Sequence, residues 1–142
     1  MDYTQVFDNF TRLYRPYIKY VTPILEHYDL HTGQWLVLKD IGQHDQTTLV
    51  DISKRRFIEK PTTRKILKAL IEKDYVCMTP GEDKRKKLLS LTSEGQHVHH
   101  EVKNQIATVQ AELISKSKCK DGELETVVSV LDKLYQELKG GL

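Results

Sequence analysis

Long apolar runs are missing from this sequence. No stretch approaches the roughly 18 apolar residues that a membrane-crossing helix needs, and Met1 leads into Asp2 and Tyr3 rather than a basic segment followed by an apolar one. A cytoplasmic protein with no membrane partner is expected. Cysteine is scarce: Cys77 and Cys119 are the only two in 142 residues, with no CxxC spacing and no histidines at finger spacing behind them. That excludes a disulfide framework and a zinc finger and predicts two reduced thiols. A Gly-rich phosphate cradle, a P-loop, a nucleophile elbow and paired carboxylates with an obvious partner are also absent, so an enzyme is not expected. Internal repeats and low-complexity segments are lacking as well.

What is present is the balance of a soluble, helix-rich chain. Hydrophobic residues make up 39% and charged residues 30%, and the length suits one domain, residues 1–142, large enough to bury a core. The net charge of +2 says little until it is divided along the chain. Residues 54–87 hold twelve Lys or Arg against five Asp or Glu, a local +7, and the remainder carries −5. A basic block between acidic arms predicts a polyanionic partner.

Periodicity orders the elements. Val6, Phe7, Phe10, Leu13, Tyr14, Tyr17, Ile18, Val21, Ile24, Leu25 and Tyr28 recur at three- and four-residue steps and predict a long first helix ending near His27, bent or relieved near Pro16 and Pro23. Trp35, Leu36, Leu38 and Ile41 mark a shorter second helix that Gly42 should end. Thr48 with Asp51 reads as a capping box for a third, with Leu49, Val50 and Ile52 inward and Lys54, Arg55 and Arg56 at its end. Pro61 suits the first position of a fourth helix running to about Lys73. In 100° steps along that helix Thr63, Ile66, Leu67 and Leu70 gather on one side, with Arg64, Lys65, Lys68 and Glu72 opposite. Val76–Met78 and Leu88–Leu91, joined by a loop that opens Pro80-Gly81 and closes on basic residues, predict a β-hairpin. Thr92 or Ser93 should cap a fifth helix reaching about Ser115, and Asp121 a sixth that frays at Gly140-Gly141. The fold class expected is mainly α with a small β-wing, in the order αααα-ββ-αα. The first, fifth and sixth helices carry more apolar stripe than the central block can cover, which predicts a homodimer.

In this order and spacing the chain resembles the MarR family of transcriptional regulators over nearly its whole length. The matching text is Leu30-His31-Thr32-Gly33-Gln34-Trp35-Leu36-Val37-Leu38, Leu49 to Ser53, Lys60 to Leu70, Lys73-Asp74-Tyr75-Val76, Asp83-Lys84-Arg85-Lys86 and Leu91-Thr92-Ser93-Glu94-Gly95. The resemblance implies a winged helix-turn-helix lobe over residues 31–92 between dimerising helices at 1–30 and 93–142. It implies that the fourth helix enters the major groove, making Thr62, Arg64, Lys65 and Lys68 candidate contacts, and that Arg85 lies near the minor groove, oriented by the wing acid Asp83. Arg55, Lys60, Lys84 and Lys86 complete the DNA-binding set drawn from the basic block. The chemistry of these side chains suits such contacts, since Arg and Lys reach guanine edges or phosphates, and a narrow minor groove concentrates negative potential. Two departures stand out. Arg64-Lys65 occupies the place where the family commonly has Thr-Arg, and Asp74 the place of a Gly before the first wing strand, where Asp can take a left-handed or turn conformation.

The function expected is therefore that of a ligand-responsive repressor binding a pseudo-palindromic operator in double-stranded DNA. An interaction module holding an acidic protein, or a non-specific nucleoid-type protein, would use the same basic block. The resemblance also implies a pocket for a small aromatic effector, with Tyr14, Tyr17, His31, Trp35 and His97 as the residues near it. His97 and His100 form an i, i+3 pair that invites a metal. The zinc-sensing branch of the family, however, has Glu-His where this chain has Gln34-Trp35, and surface histidines on a solvated turn are the simpler account. No metal or cofactor is assigned. The oxidant-sensing branch needs a thiolate near the start of the first helix, which holds no cysteine.

Overall fold

The computed structural model describes residues 1–141. The described residues form α1 (Thr4–His27), α2 (Thr32–Gln43), α3 (Leu49–Arg56), α4 (Lys60–Glu72), β1 (Val76–Pro80), β2 (Lys87–Leu91), α5 (Ser93–Ser117) and α6 (Asp121–Gly141). The expected order and the small wing are borne out. None of these helices is long and apolar enough to cross a membrane. The chain divides into two compact units, Met1–Ile106 and the part from Ala107 onward.

The first unit holds the core. Val21 and Leu25 of α1, Trp35, Val37, Leu38 and Ile41 of α2, Ile52 of α3, Leu67 and Leu70 of α4, Val76 and Leu89 of the wing and Val98, Val102 and Ile106 of α5 are all buried. Each lies on the inward stripe of an amphipathic element, so one periodic pattern per element builds the common interior. α1 runs unbroken through Pro16 and Pro23. Both prolines lie on its exposed side, where carbonyls left without an N–H partner can turn to water. The first half of α1 leaves Phe7, Phe10, Leu13 and Tyr14 exposed.

Several local expectations are corrected. α2 begins at Thr32, ahead of Trp35, because Gln34 Oε1 accepts the His31 N–H at 3.0 Å. Gly42 does not end that helix but lies inside it. A Cβ at Gly42 would stand 2.8 Å from the His99 ring, so glycine there makes room for α5. In α3, Thr48 Oγ1 accepts the Asp51 N–H at 3.2 Å as expected, but Val50 points outward and is exposed. Pro61 follows Lys60, the first residue of α4, and so takes the second position. Thr92 caps α5 through the Gly95 N–H at 2.9 Å. α6 starts with Asp121 in its first turn, and Glu123 reaches back to the Lys120 N–H at 2.9 Å.

The wing is an antiparallel pair in the register Val76↔Leu91, Met78↔Leu89 and Pro80↔Lys87. A third, one-residue strand joins it: Leu89 donates to the Thr47 carbonyl at 2.7 Å and Thr47 to the Leu89 carbonyl at 3.2 Å. Asp74, just before β1, has φ of 63°, the left-handed conformation considered for the residue that stands in place of glycine. In the second unit α6 has no buried residue, and Val127, Val128, Leu131 and Leu138 are exposed.

Candidate nucleic-acid interface

The helix-turn-helix is set by polar contacts beneath an apolar seam. Ser53 of α3 and Thr63 of α4 share a buried hydroxyl–hydroxyl hydrogen bond of 2.8 Å, and Thr63 also donates to the Glu59 carbonyl at 3.2 Å. Between these helices Phe57 takes a left-handed conformation (φ 53°), and the Ile58 N–H returns to the Ser53 carbonyl at 3.1 Å. This closes α3 and starts α4 within a few residues. With Thr63, Leu67 and Leu70 buried and Ile66 half-buried, the opposite side of α4 is left to solvent, and Thr62, Arg64, Lys65 and Lys68 are all exposed there. The angular division expected for α4 is what the fold presents.

Arg64 faces the wing across a groove of about 560 Å³ lined by residues of α3, α4 and the hairpin. Its cations are Lys54, Arg64, Arg85, Lys86 and Lys87, and its one acid is Asp51. Leu49, Val50, Met78 and Leu89 supply apolar lining. Three residues of the sequence-derived set, Arg64, Arg85 and Lys86, are thus brought together with two cations that set did not contain, Lys54 and Lys87. Lys60 and Lys84 are exposed outside this groove. Five cations against one acid in a concave surface focus a positive potential outward.

Asp83 acts on the backbone of the wing tip. Its Oδ1 accepts the Arg85 N–H at 3.1 Å, its carbonyl accepts the Lys86 N–H at 2.8 Å, and the Gly81 N–H closes the loop onto the Lys86 carbonyl at 2.9 Å. An acid two residues before the arginine therefore shapes the turn that carries it.

Arg55 takes a different place from its neighbours. Its Nη2 meets Asp40 Oδ2 at 2.7 Å and Thr47 Oγ1 at 2.6 Å, and its Nε lies 3.0 Å from Asp40 Oδ1. Asp40 is only 5% exposed, and its carboxylate raises the pKa of the guanidinium above its already high value. The group placed in the DNA-binding set from charge alone thus ties α3 to α2 and to the bridging residue of the wing. Sequence reading missed Asp40 as its partner because fifteen residues separate them and no spacing rule connects the two.

The residues assigned to an effector pocket meet different fates. Trp35 is buried, and its neighbour is His99, not His97, with ring centroids 5.8 Å apart. His97 and Tyr14 are exposed and Tyr17 half-buried, while His31 is the exposed N-cap of α2. Two residues along a helix are about 200° around it, which is why the inward histidine is the one at 99. Its Nε2 is buried without a hydrogen-bond partner among the described residues, and desolvation holds its pKa below the usual imidazole value, with Lys103, Lys39 and His100 adding to the shift. Among the described residues no three His, Cys, Asp or Glu side chains are grouped to hold a metal ion. Cys77 is half-buried in β1 and Cys119 exposed between α5 and α6.

Comparison with known proteins agrees with this geometry. Residues 30–95 match the winged helix DNA-binding domain family. An uncharacterized HTH-type transcriptional regulator of Staphylococcus aureus (strain Mu50) is 40% identical over 135 residues, covering 94% of this chain and 92% of that protein. The structure of native Staphylococcus aureus MarR is similar with a TM-score of 0.93 at 38% identity, covering all of both chains. A Staphylococcus aureus MarR structure in complex with salicylate and kanamycin is similar with a TM-score of 0.90 at 38% identity, covering 98% of this chain and 93% of that one.

Proposed function

The chain belongs to the MarR family of transcriptional regulators, and from that premise we propose that it is a ligand-responsive repressor that binds a pseudo-palindromic operator as a homodimer. The observation that carries this reading is the groove where Arg64 of α4 meets Arg85, Lys86 and Lys87 of the wing and Lys54 of α3, with Asp51 as its one acid. In it α4 enters the major groove, with Thr62, Arg64, Lys65 and Lys68 toward base edges and phosphates. Arg85, on the turn shaped by Asp83, reaches the adjacent minor groove. Lys60, Lys84 and Lys86 neutralise phosphates, and Arg55 positions α3 through Asp40.

On this reading residues 31–92 are the DNA-binding lobe of one domain, residues 1–30 and 93–142 are the dimerisation helices, and the protein works in the cytoplasm. The exposed stripe Phe7, Phe10, Leu13 and Tyr14 in one unit, and that of Val127, Val128, Leu131 and Leu138 in the other, support the homodimer. The salicylate of the similar Staphylococcus aureus complex supports a small aromatic effector. Its binding changes the separation of the two recognition helices, which must match half-sites about 34 Å apart.

A gel shift on the upstream intergenic DNA across a salt series tests the reading. Affinity should fall steeply with salt, and Lys86→Ala should lower the slope of log K against log salt by about 1.8, the share of the two phosphate contacts a homodimer loses. Arg64→Ala should flatten the preference for operator over random DNA. Absence of binding at low salt would overturn the regulator in favour of an acidic-protein partner, and equal affinity of wild type for every sequence would favour a nucleoid role.

A further inference from the structure

α1 ends in a tight corner. The Tyr28 N–H returns to the Leu25 carbonyl, the Asp29 N–H to the Glu26 carbonyl and the Leu30 N–H to the Leu25 carbonyl, each at 3.0 Å, with Asp29 left-handed at φ 55°. The segment that leaves α4 docks on this corner through two side chains, Lys73 at the helix cap and Tyr75 just before β1. Lys73 Nζ meets Asp29 Oδ2 at 2.6 Å, and the Tyr75 hydroxyl donates to the Tyr28 carbonyl at 3.3 Å. On its other side the corner is held by α5, because Gln105 Nε2 donates to the Tyr28 hydroxyl at 2.7 Å. Tyr28 is thus the residue at which the end of α1, the segment leaving the recognition helix and α5 meet through hydrogen bonds.

We propose that Tyr28 is a positioning residue that fixes the tilt of α4 against α1 and α5, and thereby sets the half-site spacing the dimer accepts. This rests on the operator-binding reading above. Magnitudes favour orientation over stability as the role of these links. Asp29 is 93% exposed, so its ion pair with Lys73 adds little to folding, and single hydrogen bonds contribute modestly. Tilt is another matter. α4 has 13 residues and is therefore about 20 Å long, so a rotation of about 10° at its Lys73 end moves its first residues by about 3 Å, near the rise of one base pair. Burial raises the pKa of Tyr75, so its hydroxyl keeps the proton it donates.

The test uses the full chain and operators whose half-sites are separated by the native spacing and by one base pair more or less. Wild type should lose about tenfold in affinity on either altered spacing, the cost of a poorly seated base contact. Tyr28→Phe keeps the ring and the carbonyl but removes the hydroxyl that Gln105 reaches, and Gln105→Leu removes the donor. Each should lose about threefold or less on the altered spacings, with the salt slope on the native operator unchanged. The two substitutions remove opposite ends of one hydrogen bond, so either folded variant reports the same loss. A wild-type spacing profile in both, or an equal loss on all three operators, would overturn the positioning role while leaving operator binding intact. A wild-type protein that binds no DNA at low salt would overturn the operator reading and this inference with it.

Discussion

Gly95 stands where the start of α5 crosses the residue that leads into the wing. A Cβ there would collide with the Tyr75 carbonyl, a rigid backbone group that also accepts the Thr92 N–H at 3.1 Å. Neither partner can yield without opening the cap that Thr92 makes with the Gly95 N–H and the Asp74 carbonyl. Gly95→Ala should therefore cost about 3 kcal/mol or more, read as a lowered midpoint in urea unfolding. A wild-type midpoint would show that α5 can shift. The sequence contains Gly95 inside a matching string but offers no reason for it, because the reason is a carbonyl twenty residues earlier. Asp74 is the opposite case. A polar residue before a strand, in a place commonly filled by glycine, is readable as left-handed, and its φ of 63° agrees.

Periodicity made whole elements legible, since an amphipathic stripe repeats over several turns and its phase survives local error. What it could not supply were single-pair features. Thr47 joins the wing by one pair of hydrogen bonds, too short to leave a pattern, and the cap of α2 uses His31 and Gln34 instead of a Ser, Thr or Asp start. The seam between α2 and α5 was missed for the same reason. His99 fits over Gly42 and against Trp35, with Nε2 unsatisfied among the described residues. Its folded pKa lies below the ordinary value of 6.5 through desolvation first, then Lys103, Lys39 and His100. The unfolded chain therefore binds this proton more readily than the native one. The contribution of the neutral ring is complete above about pH 6.5, and is lost as pH falls from there to the folded pKa, where it levels off. Urea midpoints measured from pH 8 to pH 5 should decline in wild type and decline less in His99→Leu. Parallel profiles would remove His99 as the source.

At the scale of the molecule, charge was the most legible property, because a basic block in the sequence stays basic however it folds. Convergence was less so: Lys54 and Lys87 join the groove only because α3 and β2 bring them to Arg64. Association depends on faces the chain leaves open, and the exposed residues of α1 and α6 are those whose helical spacing predicted an uncovered stripe. If that stripe is covered by a second copy, folding and assembly are linked by mass action. Each tenfold rise in protein concentration should then stabilise the native dimer by about 1.4 kcal/mol per mole of dimer. Phe10→Glu places a charge in the exposed stripe of α1, outside the core of the first unit, so it leaves that core intact while making the buried contact unfavourable. Sedimentation should show wild type as a dimer and Phe10→Glu as a monomer whose unfolding midpoint no longer depends on concentration. The variant should also lose operator affinity, since one recognition helix reaches only one half-site. A wild-type midpoint independent of concentration over a hundredfold range, together with a monomer mass, would show that the stripe has no second copy to meet.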